Sequence, residues 1–238
     1  ALFGVNFALF YFMILGDFKS ILKNEELRTY VLLIAGATAA IMLNIHSLYP
    51  TIGKSFRYAI FQVVTVITTT GYSTADFAQW PMFSKAVIMM LTVVGACASS
   101  TGGGIKVSRL LVGMKCVKRE IVQLAHPKSV GIIRIGGKKV SSDVLRTIYI
   151  YFIAYVGILI GSVLLVSLDN FDFETTFSAV LTTLGNVGPG MAKVGPMGNF
   201  AEFSPLSKLI LCFDMLAGRL EIFPFLVLFT APAWRRKF

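Results

Sequence analysis

Two apolar runs in this chain, Phe56 to Thr68 and Phe171 to Leu184, are too short to cross a bilayer, yet each lies between runs that are long enough. They hold about 13 residues each, against the roughly 20 that a spanning helix needs. The longer runs are Tyr30 to Leu48, Met82 to Ala98, Thr147 to Leu168 and Leu206 to Phe229. With 55% hydrophobic and only 14% charged residues, and a mean hydropathy of +0.75, the chain reads as an integral membrane protein and not as a soluble domain. In that setting the short runs are expected to be re-entrant helices that enter and leave on one side.

Each short run ends in a polar loop, TTTGYSTADF at residues 68–77 and TTLGNVGPG at residues 182–190. A shift of 114 residues lays Thr68, Thr69 and Gly71 on Thr182, Thr183 and Gly185, so the arrangement of span, short helix, loop and span is expected to repeat. Non-helical backbone at membrane depth is tolerated only where it is buried in protein or lines a wet cavity. Carbonyls freed there and aimed at an axis replace the water shell of a cation. Threonine hydroxyls add oxygen ligands, Gly71 and Gly185 permit backbone angles that strain a residue bearing a Cβ, and the C-terminal end of each short helix is partly negative. The plainer alternative for T-T-x-G is an ordinary helix C-cap, which glycine commonly makes. Two copies at matching places favour the pore loop.

The net charge of +10 invites a nucleic-acid reading, but the basic residues alternate with the spans. Lys19, Lys23 and Arg28 precede the first span, ten of the 22 Lys and Arg fall between Lys106 and Arg146, and Arg235, Arg236 and Lys237 close the chain. Placing all three groups in the cytoplasm satisfies the positive-inside rule with a single topology. The opposite side then carries Asp169, Asp172 and Glu174. Between the halves, alternating apolar residues around Gly136-Gly137 predict a small basic hairpin. Cys97, Cys116 and Cys212 are scattered without a CxxC pair and read as buried side chains, while His46 and His126 have no ligand-spaced partner for a metal. No nucleophile, base and orienter occur together, so an enzyme is not expected.

Beyond Gly95, the stretch ACASSTGGGIK interrupts the second long run with residues that form helix poorly; Ser99, Ser100 and Thr101 can satisfy local backbone groups instead. It is not a phosphate-binding P-loop, because Ile105 separates Gly104 from Lys106. It reads either as a plain kink or as a working break. Arg219 stands near the middle of the last long run, where a fixed charge costs roughly 2.5 to 3.5 kcal/mol on insertion scales. It must face a cavity or a partner, through an ion pair to another helix or at a pore. Asp214 and Glu221 are seven residues apart and share a helix face, with Arg219 turned well away from Glu221.

These features together resemble the second half of the Trk/Ktr/HKT potassium transporter superfamily, nearest its bacterial TrkH branch. The resemblance implies an all-α integral membrane fold of tandem helix, pore helix, filter loop and helix repeats of potassium-channel-like type, with two of an expected four in this chain. On that basis residues 1–28 end a preceding helix and its linker, 29–125 form the third repeat with a broken inner helix, 126–140 the cytoplasmic hairpin and 141–238 the fourth repeat. The abrupt start at Ala1 agrees with a piece of a longer protein. Phe56 to Asp76 would be the third pore helix and filter, and Phe171 to Gly190 the fourth. The carbonyls around Thr68, Thr69, Thr70, Gly71 and Tyr72, and around Thr182, Thr183, Leu184, Gly185 and Asn186, would line the ion sites. Ala98, Ser99, Ser100, Thr101, Gly102, Gly103 and Gly104 would form a gate loop below the filter, with Arg219 beside it.

The function so implied is potassium uptake through a gated pore in the bacterial inner membrane, driven by voltage and concentration, with K+ as cargo. A symporter coupled to sodium or protons, with Asp214 and Glu221 as suspects, stays open, as does a non-conducting membrane anchor. Partners implied by the family are a second pore subunit and a cytosolic ring of nucleotide-binding regulatory domains. NAD or an adenine nucleotide would act only through that ring, since the chain lacks G-x-G-x-x-G. The basic face at Lys115, Lys118, Arg119, Lys128, Lys138 and Lys139 would dock it, or else contact anionic membrane lipid.

Overall fold

A computed structural model describes residues 1–127, 131–220 and 222–227. Lys128, Glu221, Arg235, Arg236 and Lys237 therefore lie outside the described residues, as does the end of the run predicted to reach Phe229. Two short helices come first, α1 (Phe7–Ile14) and α2 (Phe18–Lys23), started by the side chains of Asn6 and Asp17. Asn24 then accepts the Leu27 N–H at 2.9 Å and starts α3 (Glu25–Ile45). At 1.5 Å per residue α3 extends about 31 Å, the thickness of the bilayer hydrocarbon. Next are α4 (Ile52–Ile67), capped by Thr51, and α5 (Met82–Val94). A connecting segment leads to α6 (Val107–Ala125).

The two halves are joined by a hairpin of β1 (Arg134–Ile135) and β2 (Lys138–Lys139), paired antiparallel across Gly136 and Gly137. Both glycines take positive φ, as a tight hairpin turn requires. In the second half α7 (Ser142–Val166) is followed by α8 (Phe173–Leu184), α9 (Pro205–Arg219) and the short α10 (Ile222–Val227). The α8 N-cap is Asp172, which accepts the Thr175 N–H at 2.9 Å and the Thr175 hydroxyl at 2.6 Å. Those hydrogen bonds hold its carboxyl below the usual carboxylate range. At about 24 Å and 18 Å, α4 and α8 are too short to span.

In each half the helix read as too short to span sits between its two neighbours in the chain. Tyr30, Ile41 and Ile45 of α3 pack with Val63 and Ile67 of α4 and Ile88 and Leu91 of α5. Val166 of α7, Ala179 and Val180 of α8 and Ile210 and Leu211 of α9 make the matching core. The halves are not separate bodies in packing terms, because Val187 and Met191 of the second half belong to the core of the first. Lys85 on α5 also pairs with Glu174 on α8 at 2.6 Å. The outer faces of α3 and α7 stay apolar, with Leu32, Leu43, Ile153 and Leu164 exposed. An apolar helix face without protein cover is what hydrocarbon accommodates.

Two of the four predicted spans end early. Among the described residues only α3 and α7, each with the short turn that follows it, are long and apolar enough to cross a membrane. The run predicted to Ala98 stops as helix at Val94, where Gly95 takes φ +68 and its N–H closes on Leu91. The last run breaks after Arg219, where the Leu220 N–H closes on Leu216, and helix resumes at Ile222. Arg219, predicted near the middle of a span, is thus the last residue of α9.

Candidate functional site

The ends of α4 and α8 are built alike. The Thr70 N–H reaches back to the Thr65 carbonyl at 2.8 Å and the Thr69 N–H to Val66 at 3.0 Å. In the second half the Val187 N–H reaches Thr182 at 2.9 Å and the Asn186 N–H reaches Thr183 at 3.0 Å. Both are Schellman closures, in which a left-handed residue reverses the chain and the last carbonyls are satisfied. The left-handed residues are Thr69 (φ 53) and Asn186 (φ 56), not glycines. A β-branched threonine in that region stores strain of order 1–3 kcal/mol. The plain C-cap and the polar loop are therefore one structure, the cap being how each loop begins.

This hydrogen-bond pattern corrects the repeat register. It matches Thr68, Thr69, Thr70 and Gly71 with Gly185, Asn186, Val187 and Gly188, a shift of 117 residues and not 114. Gly71 (φ 80) and Gly188 (φ 107) then coincide as the positive-φ glycines. Gly185 has an ordinary helical backbone, φ −76 and ψ −11, so the strained angles predicted there are absent. Its constraint is space, since a Cβ would sit 2.9 Å from the Thr92 carbonyl oxygen. Thr182, Thr183 and Leu184, predicted to offer free carbonyls, are the last residues of α8. The first two carbonyls carry the closing bonds, and the Thr182 and Thr183 hydroxyls go to Pro189 and Ala179.

The two loops meet. Gly71 lies so close to the Val187 carbonyl that no side chain fits between them. Thr69, Thr70, Thr182, Thr183, Asn186, Val187 and Gly188 line a shared cavity of about 590 Å³, together with α9 residues such as Leu211 and Met215. Asn186 is braced from α9, its Nδ2 donating to the Met215 carbonyl at 3.1 Å. Tyr72, placed in the first loop, is largely exposed. Lys208 also lines the cavity, with Nζ donating to the Ala201 carbonyl at 2.8 Å; no motif or spacing in the sequence marked it.

The segment between α5 and α6 folds into a closed loop at the same place. Its returning strand donates from Ile105 to Val93 at 3.1 Å and from Lys106 to Val94 at 2.9 Å. Gly103 donates its N–H to Thr69 Oγ1 at 3.1 Å and packs on the Gly185 carbonyl, where a Cβ would come within 2.5 Å. Arg219 Nη1 donates to the Thr101 carbonyl. Ser99 (φ 53) and Lys106 (φ 82) are left-handed although neither is glycine, a second site of backbone strain. The seven residues Ala98 to Gly104 thus touch the first loop, the second loop and the end of α9.

Contacts that the sequence did not announce hold this segment from the other side. Cys97 N–H donates to the Gly4 carbonyl at 3.0 Å, Phe7 N–H to Ser99 at 3.1 Å, and the Thr101 hydroxyl to Phe3 at 3.3 Å. Asp214, suspected as a coupling site, is buried and accepts from Ser162 Oγ at 2.7 Å, while its Oδ2 has no hydrogen-bond partner among the described residues. The basic face is partly neutralised, because Lys115 pairs with Glu25 and Arg119 with Glu120.

Comparison with known proteins gives a consistent match. The family described as TrkH, cation transport protein, matches residues 4–235. The Trk system potassium uptake protein TrkH of Salmonella typhimurium is 36% identical over 235 residues, 98% of this chain and 48% of that protein. TrkI of Halomonas elongata is 32% identical across 98% of this chain and 48% of its own length. The crystal structure of the potassium transporter TrkH from Vibrio parahaemolyticus superposes with a TM-score of 0.90 at 33% identity, covering 98% of this chain and 51% of that one. The chain spans about half the length of the curated relatives it matches.

Proposed function

Since this chain belongs to the TrkH family of cation transport proteins, a family of transporters and not of enzymes, we propose that it forms part of a gated pore through which potassium enters the cell. On this reading α4 and α8 are pore helices, each half is one helix, pore helix, filter loop and helix repeat, and the chain crosses a bacterial inner membrane several times. The observation that carries the reading is the meeting of two matched helix ends, Thr68 to Gly71 against Gly185 to Gly188, with one closed loop bonded beneath them. Carbonyls beyond a Schellman closure are free of the helix and can replace water around a cation. The first filter segment is Thr68 to Tyr72; the second is shifted to Asn186, Val187 and Gly188 by the corrected register.

The segment from Ala98 to Gly104 is the gate on this reading. It lies where both filter loops and Arg219 touch it, so that its displacement opens the path. Two loops supply only part of an ion's oxygen shell, and further units of the same kind supply the remainder. A second pore subunit and a cytosolic nucleotide-binding ring act as partners, the ring engaging the basic face left after Lys115 and Arg119 are paired. No nucleic acid is involved.

The test is potassium flux and reversal potential of the full-length protein in liposomes, measured across sodium and pH gradients. A passive pore follows potassium alone. Potentials that track sodium or protons would instead favour coupling, which buried Asp214 supports, its Oδ2 having no hydrogen-bond partner among the described residues. Flux unaltered by Gly71→Ser would refute the pore and leave a membrane anchor.

A further inference from the structure

We infer that Glu26 is the latch that holds the loop of Ala98 to Gly104 in its closed position. Glu26 sits in the first turn of α3, is 8% exposed, and accepts the Ala98 N–H on Oε1 at 2.6 Å. A buried carboxylate is costly unless it answers a specific donor. Here the donor is the first amide of the loop, and a charge-assisted bond of this length is stronger than a neutral one.

The loop is held by groups of opposite charge acting on opposite backbone polarities. The Glu26 carboxylate takes an N–H at its entry, and the Arg219 guanidinium donates to the Thr101 carbonyl further along. Lys106, just past the loop, adds a second cationic donor, Nζ to the Gly102 carbonyl at 3.2 Å, while the contacts that tie Ser99, Thr101 and Gly103 to Phe7, Phe3 and Thr69 are bonds between neutral groups. The turn that carries Glu26 also carries Glu25, which pairs with Lys115 on α6, the helix that leaves the loop. One turn of α3 therefore grips both the loop and its continuation. A partner that pulls on α6 loads the Glu25 pair first, and through it the turn that bears Glu26.

The inference rests on the reading of this loop as the gate, and the test separates the two. Full-length protein is reconstituted in liposomes without any regulatory partner, and potassium flux is measured for E26A, E26M, E26Q and the double variant E26M/R219A. E26M fills the same space without an acceptor; E26Q keeps the acceptor without the charge. Removing a charge-assisted bond from the closed state should raise partner-free flux on the order of ten-fold in E26A and E26M, while E26Q, whose amide oxygen still accepts but without the charge, should leak about three-fold, between the unaltered protein and E26M. The double variant should leak less than the product of the two single effects, because both release one loop. Monodisperse E26M with unaltered flux, or E26Q leaking as much as E26M, overturns the latch. If Gly71→Ser still abolishes flux in those preparations, the pore stands without the latch; if it does not, the pore reading itself has failed.

Discussion

Replacing Gly188 by alanine should damage ion discrimination and leave the fold standing, whereas Gly185→Ala should do the reverse. At Gly188 the backbone has φ 107, and nothing lies within 4 Å of where a Cβ would project. Alanine therefore meets no clash, only backbone strain of about 1–3 kcal/mol. Relief comes by turning the adjoining peptide planes, which carry the Val187 and Gly188 carbonyls. At about 1.4 kcal/mol per factor of ten, strain of that size is enough to change the potassium-to-sodium permeability ratio about ten-fold. At Gly185 the backbone suits any residue, but a Cβ would stand 2.9 Å from the Thr92 oxygen and 3.1 Å from the Leu181 oxygen. Overpacking of that kind costs about 1–3 kcal/mol of stability and is felt between α8 and α5. Reversal potentials under opposed potassium and sodium, paired with melting temperatures of the same preparations, separate the two effects. A Gly185→Ala protein with normal melting and lost discrimination, beside a silent Gly188→Ala, would return the filter to the 114-residue register and refute the correction.

Arg219→Ala removes the guanidinium bond to the Thr101 carbonyl, a charge-assisted interaction of about 1.5–3 kcal/mol, and should raise resting potassium flux; unchanged or lower flux at normal expression counts against a gate there. Asp172→Ala should cost about 0.5–2 kcal/mol through loss of the α8 N-cap, read as a lower melting temperature. Because the Thr175 hydrogen bonds depress the Asp172 carboxyl in the folded state, its contribution is complete above the unfolded carboxylate pKa of about 3.9 and is lost as pH falls through the lower folded value. The difference in stability between Asp172→Ala and the unaltered protein should therefore be flat near neutrality and shrink only on the acid side; a difference that shrinks toward alkaline pH contradicts the assignment.

The lengths of the apolar runs picked out α3 and α7 as helices that can span, because hydropathy sums over a local window and needs no partner, but not that the runs carrying α5 and α9 break short of a span. The same local reasoning found the break after α5, where three glycines follow two serines and a threonine, and the two polar loops that end α4 and α8. It misplaced the second loop by three residues. The repeated T-T-x-G letters drew the eye to Gly185, while the left-handed cap residue turned out to be Thr69 in one copy and Asn186 in the other. Which carbonyls are free follows from where the closing N–H groups land, and that is decided by the turn each chain makes once packed. The grip on the Ala98 to Gly104 segment was equally out of reach: Arg219 finds Thr101 across 118 positions of sequence and Glu26 finds Ala98 across 72. A sequence by itself determines how much of each segment prefers hydrocarbon. Only the tertiary structure decides which distant donor meets which acceptor, because those bonds exist after the helices have docked and leave no periodicity behind.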